Sequence, residues 1–318
     1  MEGIVSASRR RLFDLDHVVT DSGHIFRVLG NVDSSTHFFG YNVYSPDPNG
    51  DRLYRGKRYS KNFIEDDSLP FDVLDTYEVV AVSDVSEHRD PVTSAELYSA
   101  SFRSTVWHDL YAELVRIFGN DCVGIFGSSM FGLHLTPDGR VRKDVDFVIQ
   151  GMANVDELRR QLPAIRSRLG FTDITAERQL RQHARYQRVF RNDNNSIRAI
   201  VGRRWTGLQL SEQVVTTIRL RDVTETIPLE LVTTPAKDCD DVIMFGRVTN
   251  GDRSNLFPRN FTLATDHGEI DIFIMWWKFS TPVRDGDELT LCGSLLTIGN
   301  RTVVRLTDFT RHWLKISD

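Results

Sequence analysis

One short stretch of this sequence restricts the possible folds more than any other. The run "CVGIF" at 122–126 is continuously apolar, as in a strand buried on both faces, and Gly127 and Ser128 follow it at once. A second apolar run, "DVDFVI", begins seventeen positions after Gly127. Two buried strands that flank a glycine turn and a short apolar segment predict the core of an α/β domain.

The second run carries two carboxylates on one side of the strand. Side chains alternate between strand faces, so Asp144 and Asp146 point the same way, roughly 7 Å apart at the backbone, while Val145 and Phe147 point into a core. Two carboxylates on one face repel each other unless a cation lies between them. Mg²⁺ or Mn²⁺ prefers such oxygen ligands, and two ions ~4 Å apart can assist displacement at phosphorus. The pattern therefore predicts a divalent metal site.

The glycine turn suits a phosphate group at the same place. A glycine lets phosphate approach the backbone, and the Ser128 hydroxyl and the first N–H groups of a following helical segment can donate hydrogen bonds to it. We therefore expect Gly127 and Ser128 to bind the β- and γ-phosphates of a nucleoside triphosphate (NTP). Asp144 and Asp146 are then expected to hold the metal ions that accompany it.

Competing motifs fail in detail. A D-x-D pair alone is weak evidence, since the sequence has three others, at Asp14/Asp16, Asp238/Asp240 and Asp285/Asp287. None of these follows a Gly-Ser turn at short range. The segment "GSSMFG" has the glycine spacing of a P-loop, but Leu133 stands where that motif requires lysine. No G-x-S-x-G surrounds Ser128, which leaves a serine-hydrolase elbow unsupported.

The combination of Gly127, Ser128, Asp144 and Asp146 resembles the DNA polymerase beta-like nucleotidyltransferase superfamily, over about residues 107–232. That resemblance implies transfer of a nucleoside monophosphate (NMP) from a metal-bound NTP, with release of pyrophosphate. It also implies a third carboxylate on a later strand that completes the metal site and helps to deprotonate the acceptor. Glu230 in "IPLELV" is the candidate, and a strand-edge glutamate facing water is the alternative. The loop "TPDGRVRK" makes the spacing between the two motifs rather long.

Basic residues are distributed unevenly. The formal charge is −5, yet the window 159–204 holds twelve arginines against three acids, a net charge of +9. Guanidinium groups match phosphate oxygens bidentately, so this window predicts a polyanionic partner, RNA or tRNA included. A solvated helix face is the equally open alternative. Arg203 and Arg204 are the pair that we expect to contact the triphosphate or the acceptor backbone, and Trp205 either stacks on a base or belongs to the core.

The regions before and after the central segment have sequence patterns typical of β-structure. Residues 1–92 alternate strand signals with turns, and the basic residues Arg52, Arg55, Lys57, Arg58 and Lys61 of this region either touch phosphate or face solvent. Beyond residue 235, five short strands at nearly regular spacing predict a small barrel, with an OB-like barrel as the simplest choice. The predicted architecture is α/β (α+β). It has a β-rich domain at 1–92, a nucleotidyltransferase domain with a mixed sheet at 93–234, and a β-barrel-like domain at 235–318.

These observations lead to one functional expectation and one alternative. We expect a Mg²⁺- or Mn²⁺-dependent nucleotidyltransferase that moves an NMP from an NTP to a hydroxyl or phosphate acceptor. The alternative is a catalytically inactive protein of the same fold that binds nucleic acid. No apolar run approaches the ~20 residues of a membrane span, and three distant cysteines suggest neither a disulfide framework nor a zinc site, so a cytoplasmic location is expected.

Overall fold

The structure is a computed structural model of the chain, and it describes residues 11–62, 78–103, 105–135, 144–189, 194–211, 214–235, 240–275, 283–308 and 311–317. Within these residues it is a mixed α/β protein with six α-helices and several sheets. The loop "TPDGRVRK" at 136–143 lies outside the described residues. No helix among the described residues is long and apolar enough to cross a membrane.

The N-terminal region forms a largely antiparallel sheet. The strands of this region are β1 (His17–Thr20), β2 (Ile25–Val28), β3 (Val32–Asp33), β4 (His37–Pro46), β5 (Arg52–Tyr54), β6 (Lys57–Lys61), β7 (Glu78–Ala81) and β8 (Val85–Arg89). The described order is β5-β6-β4-β2-β1-β8, with β7 also paired to β4 and β3 outside the sheet. The sequence predicts a hairpin turn at "PDPNGD", but β4 pairs with β6, and the tight turn joins β5 to β6 at Arg55 and Gly56.

The central region combines helices with a small mixed sheet. Its helices are α1 (Pro91–Tyr98), α2 (Val106–Phe118), α3 (Val155–Leu169), α4 (Ala176–Val189), α5 (Asn194–Gly202) and α6 (Leu229–Thr233). Its strands are β9 (Val123–Phe126), β10 (Asp146–Gln150), β11 (Gly207–Gln209), β12 (Val215–Arg221) and β13 (Ile227–Pro228). The sheet order is β11-β12-β10-β9, where β10 runs parallel to β12 and antiparallel to β9, and β13 pairs with β3.

The two faces of the central sheet have different roles. Phe147 of β10 and Ile218 of β12 are fully buried on the face that packs with α2 and α3 in one hydrophobic core. The opposite face carries Asp146 and, by the register of the parallel pair, Thr217 and Arg219. This second face meets the N-terminal sheet. Because successive side chains of a strand point to opposite faces, the order of residues determines which side chains point towards the N-terminal sheet.

The C-terminal region closes into a five-stranded barrel. Its strands are β14 (Asp241–Thr249), β15 (Arg259–Thr265), β16 (Gly268–Ile274), β17 (Glu288–Ile298) and β18 (Arg301–Leu306), and β19 (Trp313–Ile316) is added beside β17. The order β14-β15-β16-β18-β17 returns to β14, so every barrel strand has two neighbours. The β16–β18 pair is parallel. The predicted C-terminal barrel is therefore confirmed as a closed five-stranded β-barrel.

Hydrophobic cores cross the predicted domain boundaries. One core joins residues of the N-terminal sheet, such as Ile25 and Tyr44, to residues of the central sheet, such as Ile125 and Phe147. A second core lies inside the barrel and also includes Ile197 of α5. The N-terminal and central regions therefore bury their apolar side chains together.

Local sequence signals placed several elements well and others poorly. Gly170 ends α3 in a left-handed conformation, as expected. Asn154 stands at the start of α3 but makes no capping bond, because its side chain donates to the carbonyl of Gln150. The spacing of apolar residues over 94–118 predicts one long helix, but a 3₁₀ turn at Ser99–Phe102 separates α1 from α2. The expected second strand around Glu230 is also wrong, since Leu229–Thr233 is a short helix.

A buried arginine joins the N-terminal and central sheets. Arg221, at the end of β12, donates from Nη2 to Asp16 Oδ1 at 2.7 Å and from Nη1 to Asp90 Oδ2 at 3.0 Å. Its side chain and that of Asp16 are each 1% exposed. Asp16 Oδ2 also contacts His88 Nε2 at 2.8 Å, and Asp90 caps the N-terminus of α1. Each charge therefore has a partner in an interior where a lone charge is costly.

Replacing this arginine tests the junction. The variant Arg221→Met leaves Asp16 as a buried carboxylate without its guanidinium, so we expect the free energy of unfolding to fall by about 3–5 kcal/mol in urea titrations. The control Arg247→Met removes an exposed arginine that is 3.4 Å from Glu288, and little change is expected. Equal effects of the two substitutions would show that the buried pairs do not hold the sheets together.

Two buried histidines make the fold sensitive to acid. Burial is the main cause that lowers the pKa of His17 to about 3 and of His134 to about 4. Below pH 6.5 these two histidines are protonated in the unfolded chain but stay neutral in the folded chain. The free energy of unfolding therefore falls as the pH drops from 7 to 5. We expect His17→Gln and His134→Gln each to reduce this loss in urea titrations, whereas exposed His37→Gln leaves it unchanged. An undiminished loss in both variants would contradict the assignment.

Candidate nucleotide-binding cleft

The two carboxylates and the glycine-serine turn meet in one cavity. Asp144, Asp146, Gly127 and Ser128 all line a cavity of about 230 Å³ between the central sheet and the N-terminal sheet. Asp146 begins β10 and is paired with Phe126, the residue before the turn. The pairing of β9 with β10 therefore brings the turn and the carboxylates together across the intervening loop.

Gly127 has a backbone conformation that explains its residue type. Its φ is +69°, in the left-handed region that glycine adopts at little cost. A β-carbon added at Gly127 would have Asp146 Oδ2 as its near neighbour at 3.8 Å, an ordinary contact distance. The turn opens a 3₁₀ helix of five residues, Gly127–Phe131, rather than the α-helix start that the sequence suggested. The chain thus reverses sharply beside the carboxylate.

The N-terminal sheet supplies the opposite wall of the cavity. Tyr44 of β4 forms a hydrogen bond with Ser128, and burial is the main cause that raises the pKa of Tyr44 to about 12. Arg27 of β2 lies with its guanidinium carbon 4.9 Å from the ring centre of Phe126 and donates to Tyr41 Oη at 3.4 Å. This wall joins two separate strands of the N-terminal sheet to the turn.

Four cationic side chains face the two carboxylates. They are Arg27, Arg52, Lys61 and Arg219. Burial, followed by repulsion from Asp144, raises the pKa of Asp146 to about 6, and Arg219, Arg27 and Lys61 act in the opposite direction. The cavity therefore combines a carboxylate pair with an excess of positive charge, an arrangement that complements a metal–polyphosphate complex.

The donor set fits one divalent cation better than two. Asp144 and Asp146 together offer the one or two carboxylates with which Mg²⁺ is usually held, the remaining positions being filled by phosphate oxygens and water. Among the residues that the structure describes, no group of three or more His, Cys, Asp or Glu side chains is placed to hold a metal ion. The carboxylate pair thus fits a Mg²⁺ or Mn²⁺ ion that enters with a nucleotide.

Comparisons with known proteins do not assign a family. No family model matches this chain, and no curated protein matches it. Among solved structures, the chain is similar to the crystal structure of the tetrameric p202 HIN2, with a TM-score of 0.21 and 12% sequence identity. The similarity covers 35% of this chain and 62% of that chain, less than two thirds of its length. A TM-score this low does not establish a shared fold.

Glu230 is not part of this cleft. It lies in α6, is exposed to solvent, and is absent from the residues that line the cavity. The apolar pattern of "IPLELV" predicted a strand, but only Ile227 and Pro228 pair with β3 before the chain turns into the short helix. On the strand that lies beside β10, the side chains facing the cavity are Thr217 and Arg219, and neither is a carboxylate.

Arg203 and Arg204 also lie elsewhere. Arg203 forms an ion pair with Asp287 of the barrel region, and Arg204 donates to Gln182 of α4 at 2.6 Å. Neither residue lines the cavity. Trp205 donates from Nε1 to Asn255 Oδ1 at 3.1 Å and is covered by the guanidinium of Arg159. These three side chains therefore make contacts inside the protein instead of facing the carboxylate pair.

The arginine-rich window is partly neutralised by acids. Its arginines form ion pairs with acids of the same helix, of the segment that follows it or of another helix, and described examples are Arg159–Asp156, Arg160–Glu157, Arg166–Asp173, Arg168–Glu113 and Arg181–Glu177. No described residue of this window lines the cavity. Several of the arginines remain well exposed, including Arg160 at 71%. Their surface is thus separate from the cleft.

Sequence reasoning missed the cations that do line the cleft. Arg52 and Lys61 were candidates for phosphate contact, and the structure places both in the cavity. Arg27 and Arg219 were not singled out. Each interrupts an apolar strand, "IFRV" and "TTIRL", on the face opposite the hydrophobic neighbours. A charged residue inside such a strand is a signal for a buried polar site.

Substitution of Gly127 tests the geometry of the turn. The β-carbon of an alanine makes the left-handed conformation at φ +69° unfavourable. Gly127→Ala should therefore lower the free energy of unfolding by about 1–2 kcal/mol. Gly202→Ala is the matched control, since an added β-carbon there meets no described atom within 4 Å at the end of α5. That control should be neutral or stabilising. A neutral Gly127→Ala would mean that the turn has another conformation.

Proposed function

We propose that this protein is a metal-dependent nucleotidyltransferase that binds a nucleoside triphosphate in the cleft between the N-terminal and central sheets. The observation that carries the proposal is the meeting of Gly127, Ser128, Asp144 and Asp146 in one cavity rich in arginine and lysine. The nucleotidyltransferase type of the mixed sheet and the OB-like type of the closed barrel belong to the same proposal.

The residues that line the cleft have separate proposed roles in binding the metal ion and the phosphates. Asp144 and Asp146 would hold a Mg²⁺ or Mn²⁺ ion, which supplies neutralisation of phosphate charge when it is bound. The Ser128 hydroxyl and the backbone at Gly127 would bind the β- and γ-phosphates. Arg52 and Lys61 reach the same cavity from the N-terminal sheet and would oppose the charge of the polyphosphate.

The proposed reaction is a displacement at the α-phosphorus. An acceptor oxygen forms a bond to that phosphorus, and the bond from the phosphorus to the bridging oxygen breaks. The electron pair of the broken bond leaves with pyrophosphate, and a hydroxyl acceptor loses its proton to water. The protein contributes alignment and charge stabilisation to this step.

The proposed acceptor class is a hydroxyl or a phosphate, and RNA is the polyanion that the surface favours. Exposed arginines on α3 and α4, such as Arg160 and Arg181, provide a basic surface outside the cleft. Guanidinium groups at 71% and 58% exposure remain accessible to a phosphate backbone even where they contact acids. A protein or a small metabolite with a free hydroxyl would suit the cleft equally.

A second candidate function has an observation in its favour. Arg219 instead of a carboxylate faces the cavity from the strand beside Asp146, which departs from the three-carboxylate pattern implied by the resemblance. A protein of this fold without catalytic activity that binds nucleic acid would tolerate that change. Its affinity for nucleic acid would fall with salt and would survive loss of Asp146.

Pyrophosphate release separates the two functions. The full chain is incubated with labelled NTPs and Mg²⁺, with and without RNA. We expect turnover in the wild type and at least an ~100-fold loss in Asp146→Ala, because a metal ligand contributes several kcal/mol to charge stabilisation. The exposed Asp266→Ala is the matched control and should retain activity. Absence of turnover with every NTP, together with salt-sensitive RNA binding that Asp146→Ala preserves, would favour the binding function.

A further inference from the structure

The strand beside the carboxylates presents a cation at the cavity. β10 and β12 run parallel, with Phe147 opposite Ile218 and Val148 opposite Arg219, so Asp146 is level with Thr217. The alternation of the strand then places Thr217 and Arg219 on the face of Asp146, and both line its cavity. A second metal ion needs further oxygen ligands at this position, and the described residues offer none of the carboxylates that would hold it.

We infer that the Arg219 guanidinium takes the place of a second metal ion, so that the cleft binds a single divalent cation and Arg219 binds the polyphosphate directly. This inference rests on the proposed function. Two carboxylates with one dication and one guanidinium carry the same net charge as three carboxylates with two dications. The exchange therefore preserves the charge that a triphosphate meets, while a planar guanidinium adds paired donors for phosphate oxygens.

The surroundings of Arg219 are consistent with a role towards an anion. Burial is the main cause that lowers the pKa of Arg219 to about 9, and repulsion from Arg259, Arg27 and Arg204 adds to it. Asp146 acts in the opposite direction. Arg219 therefore remains charged at neutral pH and stands among other arginines. A polyphosphate brings several negative charges to this group at once.

Two binding measurements on the full chain test the inference without knowledge of the nucleotide. Mn²⁺ alone is titrated and counted by its electron paramagnetic resonance signal, and inorganic tripolyphosphate is titrated by calorimetry in the absence of metal. We expect one Mn²⁺ per wild-type chain and none in Asp146→Asn. In Arg219→Met, Mn²⁺ should bind at least about tenfold more tightly and tripolyphosphate at least about tenfold more weakly, as loss of a charged hydrogen-bonding partner implies.

The opposite signs of the two effects distinguish this role from a structural one. A variant that merely disturbs the fold weakens both ligands, which would overturn the inference. Arg219→Lys keeps the positive charge, so its Mn²⁺ affinity should stay as weak as in the wild type and most of its tripolyphosphate affinity should remain. This variant replaces Arg219→Met as the test if Arg219→Met does not fold. Arg247→Met on the barrel is the matched control and should change neither affinity.

The outcomes also separate this inference from the proposed function. Two Mn²⁺ ions per wild-type chain, both lost in Asp146→Asn, would overturn the role of Arg219 and leave the nucleotidyltransferase proposal in place. Mn²⁺ binding that is unchanged in Asp146→Asn would instead overturn the metal site itself. One Mn²⁺ together with the paired, opposite shifts in Arg219→Met would support both.

Discussion

The buried contacts of Arg221 with Asp16 and Asp90 are the constraint on which the cleft depends. They join the end of β12 to the N-terminal sheet and to the first turn of α1. Because side chains alternate along β12, the face that anchors Arg221 is also the face that carries Arg219 and Thr217. Arg221 therefore attaches one end of the strand that carries Arg219 and Thr217 to the N-terminal region. These buried contacts thus connect the wall of the cavity on β12 to the N-terminal wall.

The cavity brings four cationic side chains together with two carboxylates. Burial, followed by repulsion from Asp144, raises the pKa of Asp146 to about 6, although the nearby Arg219, Arg27 and Lys61 act in the opposite direction. The proposed metal-bound polyphosphate would bring a cation to the carboxylates and an anion to the cationic side chains. The ligand proposed for the cavity is therefore the complex of metal and polyphosphate rather than either component alone.

Local patterns in the sequence predicted elements and faces, and they could not predict which elements cover those faces. The apolar runs at 122–126 and 144–149 correspond to β9 and β10, and the alternation around Val145 correctly separates core from cavity. Glu230 was misplaced because a short apolar run of this length is compatible with either a strand or a helix. Arg203 is paired with Asp287, which is distant in sequence. Proximity in sequence to the carboxylate strand therefore did not identify which arginines line the cleft.

The contribution of the N-terminal sheet to the cavity is the part of the site that is hardest to predict from the sequence. Arg27, Tyr44 and Lys61 come from three strands, and only their packing against the turn at Ser128 makes them neighbours of the carboxylates. A central sheet alone would leave Asp146 and Arg219 open to water, where charge interactions are weak. Covering that face with a second sheet leaves Asp146 and Arg219 only half exposed, and their charge interactions strengthen where water is displaced. The shared core of the two regions is thus what turns a pair of strand residues into a site with a defined charge, and separation of the regions at residue 92 would remove one wall of it.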